Sequence, residues 1–302
     1  MRKPTRWILT GVGGLAGVLL LAAAAVYLAS SRRANQTITV APESITLPDD
    51  SLSLTNGERL ANMYGCTECH GRDLGGTMLV DEPVFLTLAA PNLTAGAGGV
   101  GRTYTPADHE RALRHGVSST GRPLMIMPSA HYNHLSNQDV AEILTYVTHV
   151  PPVDRAWGPP RLGPAGRMAS LMQGPAIYGA LAIDHTKTHV DRVDRAESVA
   201  YGRYLATACA GCHQPDFHGG PVPAGPPDSP PAANMTPHET DGIGRWTLAD
   251  FERAIRRGQR PDGSVIDSQS MPWPYLSRMT DVELRSIWMF LRTLAPLNDD
   301  GE

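Results

Sequence analysis

Two pentapeptides of one pattern, Cys66-Thr67-Glu68-Cys69-His70 and Cys209-Ala210-Gly211-Cys212-His213, begin 143 residues apart and use all four cysteines of a 302-residue chain. The surrounding stretches match in the same order. The first copy continues through Ala90-Pro91-Asn92-Leu93-Thr94 and Gly101-Arg102-Thr103-Tyr104-Thr105. The second continues through Ala232-Ala233-Asn234-Met235-Thr236 and Gly244-Arg245-Trp246-Thr247. A repeat of about one domain's length means that one small fold is built twice. It predicts domains at 50–152 and 198–298, joined by a linker at 153–197 that packs on both.

The matched positions carry helix punctuation. Thr105 before Asp108 and Thr247 before Asp250 predict helix starts, because a threonine oxygen can accept from the free amides of the first turn. Arg114-His115-Gly116 and Arg256-Arg257-Gly258 predict the ends. A final helix starts near Ser136 or Thr280. Its apolar positions (Val140, Ile143, Leu144, Val147; Val282, Leu284, Ile287, Trp288, Leu291) follow helical spacing, and Pro151 and Pro296 close it. The opening helix of the first domain is expected at the capping-box pattern Thr55-Asn56-Gly57-Glu58, and that of the second at Ser198. The expected fold class is all-α.

Ile8 to Ala29 is a run of 22 residues without a charge, enough to cross a hydrocarbon core of roughly 30 Å. Residues 1–33 are read as an N-terminal anchor that meets the membrane through residues 7–29, followed by a polar tether at 34–49. Arg2, Lys3 and Arg6 ahead of Ala23-Ala24-Ala25 also fit a cleaved secretory signal. The anchor is preferred because a signal's apolar core is usually only about 7 to 15 residues long. Basic residues before the span keep the N-terminus cytoplasmic, so the expectation is a single-pass protein of a bacterial cytoplasmic membrane with its bulk in the periplasm. Beyond residue 33 the chain has 21 basic and 30 acidic residues, a balance of −9. That offers no basic face for nucleic acid, and it suits either solubility or steering toward a basic partner.

An exported protein with four cysteines ordinarily suggests disulfides, but here the spacing points elsewhere. Two cysteines separated by two residues and followed at once by histidine place both sulfurs where they can reach the vinyl groups of one haem, with the imidazole on its iron. Zinc ribbons set their pairs about 15 to 20 residues apart, and a thioredoxin-like pair needs a βαβ setting. Two covalently bound haem c groups follow, held by Cys66, Cys69 and His70 and by Cys209, Cys212 and His213. For the sixth ligand the first domain offers Met125, Met127, His131 and His134, and the second Met271 and Met279. The repeat favours Met127-Pro128 and Met271-Pro272, which follow their histidines by 57 and 58 residues and precede the final helix's cap by nine. Met78 reads as packing. Asn92 and Asn234 read either as bonding near the methionine loop or as turn residues, Trp246 and Trp273 as packing on haem, hydrogen-bonding a propionate or simply packing, and His185, His189 and His218 as surface or satisfied histidines.

Cys-x-x-Cys-His, Asn-[Leu/Met]-Thr, the Gly-x-Gly-Arg segments at Gly99 and Gly242, and Met-Pro before an amphipathic final helix together resemble the cytochrome c domain family. The resemblance is greatest to cytochrome subunits of membrane-bound alcohol and gluconate dehydrogenases. It covers about two thirds of the chain and implies two tandem class I-like cytochrome c domains, with Met127 and Met271 as ligands. Those subunits commonly carry three haem motifs; this chain has two and an N-terminal anchor. The function expected is electron transfer without catalysis, from a quinol-linked complex or dehydrogenase as donor to a cytochrome or oxidase as acceptor. A fixed subunit of a larger respiratory, photosynthetic or dehydrogenase complex is the alternative. A di-haem peroxidase is a third, enzymatic one.

Overall fold

The computed structural model describes residues 3–41, 43–222 and 230–301. Arg2 of the basic N-terminus, residue 42 of the expected tether and residues 223–229 of the expected second domain lie outside them. The apolar N-terminal run forms α1 (Lys3–Ala34). Among the described residues its segment Gly11–Ala34, whose most apolar 18-residue stretch has a mean hydropathy of 2.2, is long and apolar enough to cross a membrane.

The first repeat folds as α2 (Ser51–Met63), α3 (Cys66–His70), strands β1 (Met78–Glu82) and β2 (Leu86–Ala89), then α4 (Pro106–His115), α5 (Ser129–Tyr132) and α6 (Asn137–His149). The connecting segment holds β3 (Arg161–Leu162), α7 (Pro164–Met172) and α8 (Gly174–Ile177). The second repeat gives α9 (Val199–Ala206), α10 (Ala210–His213), α11 (Leu248–Arg257), α12 (Trp273–Leu276) and α13 (Asp281–Leu291). The chain is mostly helical, with one small addition. β1 and β2 form an antiparallel hairpin, with Val80 opposite Leu88 and Glu82 opposite Leu86, and the linker adds β3 to its β2 edge.

Thr105 and Thr247 cap α4 and α11 in reciprocal capping boxes with Asp108 and Asp250, and Gly116 and Gly258 end them at φ +63° and +62°. Ser136, Ser198 and Thr280 cap α6, α9 and α13. Three local expectations are corrected. α2 starts a turn before Thr55, because Asp50 accepts from the Ser53 amide at 2.9 Å and so supplies the cap, while the Thr55 hydroxyl donates back to the Ser51 carbonyl. α13 stops at Leu291, well before Pro296. Val282 is exposed, whereas Leu284, Ile287 and Leu291 are buried.

The first and last helices of each repeat cross at a glycine. A Cβ built on Gly57 would overlap the Glu142 carbonyl, and one on Gly202 would overlap the Ser286 carbonyl, so only hydrogen lets α2 lie on α6 and α9 on α13. The cores these pairs enclose merge into one apolar cluster running from Leu60, Ile143 and Leu144 to Leu205, Ile287 and Leu291. Polar contacts close the seam between the repeats. Arg59 of α2 donates to both oxygens of the buried Glu283 carboxylate at 2.8 Å, and Tyr201 donates to the same group. The Ser136 amide donates to the Tyr204 hydroxyl at 2.8 Å, and that hydroxyl donates to Asp139. Arg195 spans Asp139 and Glu142.

The tether and linker are pinned to the first repeat. Ile38 donates to the Gly121 carbonyl, Thr145 donates to the Pro48 carbonyl, and Ile45 and Leu47 pack on the core. His185 and His189 are not surface residues. His185 meets His115 nitrogen to nitrogen at 3.0 Å, His189 pairs with Glu43 at 2.6 Å, and the fully buried Arg114 lies between Glu43 and Glu110. Burial, then His185 and His189, bring the His115 pKa down to about 4. His134, edge-on to the Tyr204 ring, is brought down to about 4 chiefly by burial.

Two predictions follow from this packing. Gly57→Ala and Gly202→Ala should each cost about 1–3 kcal/mol in denaturant titrations, as overpacking does at a closed contact; a variant as stable as the parent would show that the crossing has slack. Between pH 6.5 and 4 the unfolded chain takes up protons that His115 and His134 refuse in the native state, so stability should fall as pH drops through that window. Glu110, raised by burial, works in the opposite sense but is one group against two. The melting temperature measured against pH should therefore slope, and the slope should flatten in a His115→Gln/His134→Gln double variant.

Candidate functional site

α3 is a little over one turn long and carries Cys66, Cys69 and His70 on a single short helix. α10 does the same for Cys212 and His213, with Cys209 as its N-cap. Both histidines are buried, and each makes one hydrogen bond through Nδ1: His70 to the Pro91 carbonyl at 2.9 Å and His213 to the Ala233 carbonyl at 2.7 Å. Donation from Nδ1 selects the tautomer in which Nε2 carries a lone pair, the arrangement a metal-binding imidazole needs. Burial lowers both histidine pKa values and keeps the rings neutral, with the carbonyl bond opposing. Burial, then the neighbouring Cys69 or Cys212, pushes the Cys66 thiol up to about 12 and Cys209 to about 11.

A cavity of about 690 Å³ lies against α3. Cys66, Cys69 and His70 line it together with Leu93, Leu113, Tyr132, Ile143, Leu144 and Val147. An apolar slot with two thiols and one imidazole along its wall suits a flat, largely apolar macrocycle tethered by thioethers. Met125 and Met127 both line this cavity; Met78, His131 and His134 do not. In the second repeat Met271 packs half-buried against the core, as do Trp246 and Leu276, while Met279 is a buried core residue. The Trp273 indole donates to the Ile266 carbonyl at 3.1 Å and so has its polar partner within the protein. His218 pairs with Asp216.

The asparagines do more than make a turn, and they bond away from the methionine loop. Asn92 accepts from the Thr94 amide and hydroxyl and donates to the Val153 carbonyl at 2.6 Å. Asn234 accepts from the Thr236 amide and hydroxyl and donates to the Leu297 carbonyl at 2.8 Å. Each therefore ties its loop to the segment leaving the repeat's final helix, and the residue just before it supplies the carbonyl that orients the histidine. Sequence reasoning missed that carbonyl, although its signal was present in the two matched Asn-x-Thr segments. It also missed Tyr104, His109 and Trp157 on the cavity wall, and the bond from Tyr132 to the Tyr64 carbonyl.

The two sites also meet across the seam. His131 of α5 lies where a side chain at Gly211 would stand, so the short helix after Met127-Pro128 rests on the second pentapeptide. At the matching position of α12, Tyr275 sits by the first pentapeptide; burial, then the charge of Glu68, raises its phenol pKa, with Cys69 adding to the effect. The second histidine-bearing turn thus packs beside the first repeat's post-Met-Pro helix, and the first lies within electrostatic reach of the second's.

This arrangement, duplicated and extracytoplasmic behind an apolar helix, defines a c-type haem protein with two centres. Residues 53–147 match the family model described as cytochrome C oxidase, cbb3-type, subunit III, and residues 199–295 match the model for cytochrome c. The chain is therefore a tandem of two cytochrome c domains, and its two Cys-x-x-Cys-His motifs imply two haem c groups. It is 25% identical over 280 residues to the gluconate 2-dehydrogenase cytochrome c subunit of Pantoea cypripedii, covering 82% of this chain and 62% of that protein. It is 27% identical over 268 residues to a diheme cytochrome c-type protein of Cereibacter sphaeroides, covering 79% and 84% respectively. Against the cytochrome c subunit of Gluconobacter oxydans alcohol dehydrogenase (quinone), identity is 33% over 122 residues, 38% of this chain and 25% of that protein. The chain thus spans less than two thirds of the dehydrogenase subunits it resembles.

Removing an asparagine brace leaves buried groups unpaired, which costs about 1–3 kcal/mol. Asn92→Ala and Asn234→Ala should each lower stability by that amount in denaturant unfolding followed by Soret absorbance, and unchanged midpoints would assign the brace no weight.

Proposed function

We propose that the protein is the electron-transfer subunit of a membrane-associated dehydrogenase, held on the periplasmic face by α1, passing electrons from the dehydrogenase or a quinol-linked complex to a cytochrome or oxidase. Haem supplies a one-electron centre that alternates between ferric and ferrous iron. His70 with Met127, and His213 with Met271, are the residues that would ligate the two irons, and Cys66, Cys69, Cys209 and Cys212 those that would form the thioethers. The Nδ1 bonds to Pro91 and Ala233 fix the two imidazoles, and apolar walls such as Leu113 and Ile143 exclude water. A thioether ligand in a dry pocket favours ferrous iron and so a relatively high potential. Irons ligated by both a histidine and a methionine of the chain would have no position for substrate, which sets this reading apart from a peroxidase.

The observation that carries the proposal is the contact of the two sites across the seam, His131 on Gly211, with Tyr275 within reach of the Glu68 charge. It supports a route in which an electron entering at one haem leaves from the other. The names of the gluconate and alcohol dehydrogenase relatives support a fixed subunit; the di-haem relative, matched over most of its length, supports a tethered carrier acting alone. Purification in mild detergent separates the two, because a stoichiometric dehydrogenase is expected for the subunit and a lone cytochrome would reject it. Met127→Ala and Met271→Ala should each abolish one domain's share of the near-infrared sulfur-to-ferric-iron band and lower that haem's potential. An unchanged spectrum would reject the methionine concerned.

A further inference from the structure

α7 is bound to the end of the apolar helix. Arg33 of α1 donates to the Ser170 and Leu171 carbonyls at 2.5 and 3.0 Å. Arg167 of α7 donates to the Ser30 and Ser31 hydroxyls, with its guanidinium 4.1 Å from the centre of the Tyr27 ring. Those contacts fall where the charge-free run ends and the first arginines appear, the level at which tyrosine and arginine sit in a bilayer interface. Arg167 is the only charged residue of α7, and it faces α1.

The outer side of α7 is apolar. Pro164, Met168 and Met172 recur every four residues and are exposed, Met172 by 77%. The turn of the β1–β2 hairpin extends this surface: Gly163 donates to the Phe85 carbonyl and Ala165 to the Val84 carbonyl, and Val84 is 69% exposed. A continuous apolar surface of this kind needs an occupant. Its junction with α1 at interface depth identifies that occupant as lipid.

We propose that α7 and the β1–β2 turn form a second, monotopic membrane contact, lying in the headgroup–acyl boundary of the leaflet from which α1 emerges. The inference rests on α1 spanning the bilayer. It also places the first haem at the lipid surface, since Ser31, Asn35, Leu79 and Arg167 line the same cavity as Cys66 and His70.

In the holoprotein the four native cysteines are consumed by haem, so an introduced cysteine is the one reactive thiol. Full-length Leu19→Cys, Val84→Cys, Met172→Cys and Val265→Cys variants, in phosphatidylcholine/phosphatidylglycerol nanodiscs, would be exposed to a sulfonated maleimide and to a lipid-soluble one. Val265, 73% exposed on the second domain, is the aqueous reference. Insertion predicts that the sulfonated reagent labels M172C and V84C about tenfold more slowly than V265C, while the lipid-soluble reagent labels them readily. Labelling by the sulfonated reagent at the V265C rate, with L19C still blocked, overturns the inference and leaves the anchor intact. Slow labelling by both reagents overturns it in favour of a protein occupant. Sulfonated-reagent labelling of L19C removes the spanning helix, and this inference with it.

Discussion

Everything in each domain hangs on two helices pressed together closely enough that one of them must contribute a glycine. At Gly57 and Gly202 the backbone of the opening helix meets a carbonyl of the closing helix, with no room for a side chain. That contact sets the spacing of the helix pair and therefore the width of the apolar space beside it, where α3 or α10 delivers its cysteines and histidine. The chain between the two helices is mostly loop and short helix, and it adds Leu74, Leu113 and Tyr132 in one domain and Phe217, Phe251 and Ile255 in the other to the core. It is held by hydrogen bonds that return to the frame, from Asn92 to Val153 and from Asn234 to Leu297. The same loops present the Pro91 and Ala233 carbonyls to the histidines, so the frame, the brace and the tautomer of the ring form one chain of cause.

The seam between the domains is built differently. It joins apolar cluster to apolar cluster and surrounds the junction with buried carboxylates that are each engaged by several donors: Glu283 by Arg59, Tyr201 and the Thr280 amide, and Asp139 by Arg195 and Tyr204. A buried carboxylate missing one partner is costly, which makes such a seam specific in register more than strong. Specific register is what an electron route needs, because tunnelling falls steeply with distance and tolerates little sliding.

Much of this was written locally and so could be read from the sequence. Caps at Thr105, Ser136, Thr247 and Thr280 depend on residues three positions apart, and the repeat doubled each signal. The covalent motifs were equally plain; Met125 and Met127 both line the cavity, and it is the repeat spacing that favours Met127. What stayed hidden depends on partners far apart in the chain. Gly57 looked like part of a capping box because nothing nearby reveals that Glu142 lies against it. Strand β3 is two residues long and exists only because β2 offers an edge. His185 and His189 looked like isolated polar residues until the linker folded onto α4 and set them beside His115 and Glu43.

Arg33 and Arg167 lock α1 to α7 through four hydrogen bonds, and the following extended segment is pinned along the first domain rather than hanging free. With α1 in a bilayer, this replaces a swinging arm by a stiff post. The domains then keep one height and one tilt, and the search for a redox partner becomes lateral diffusion in two dimensions. A partner that presents its electron at that height is met in the right orientation at nearly every collision, and one that presents it elsewhere is refused by geometry alone.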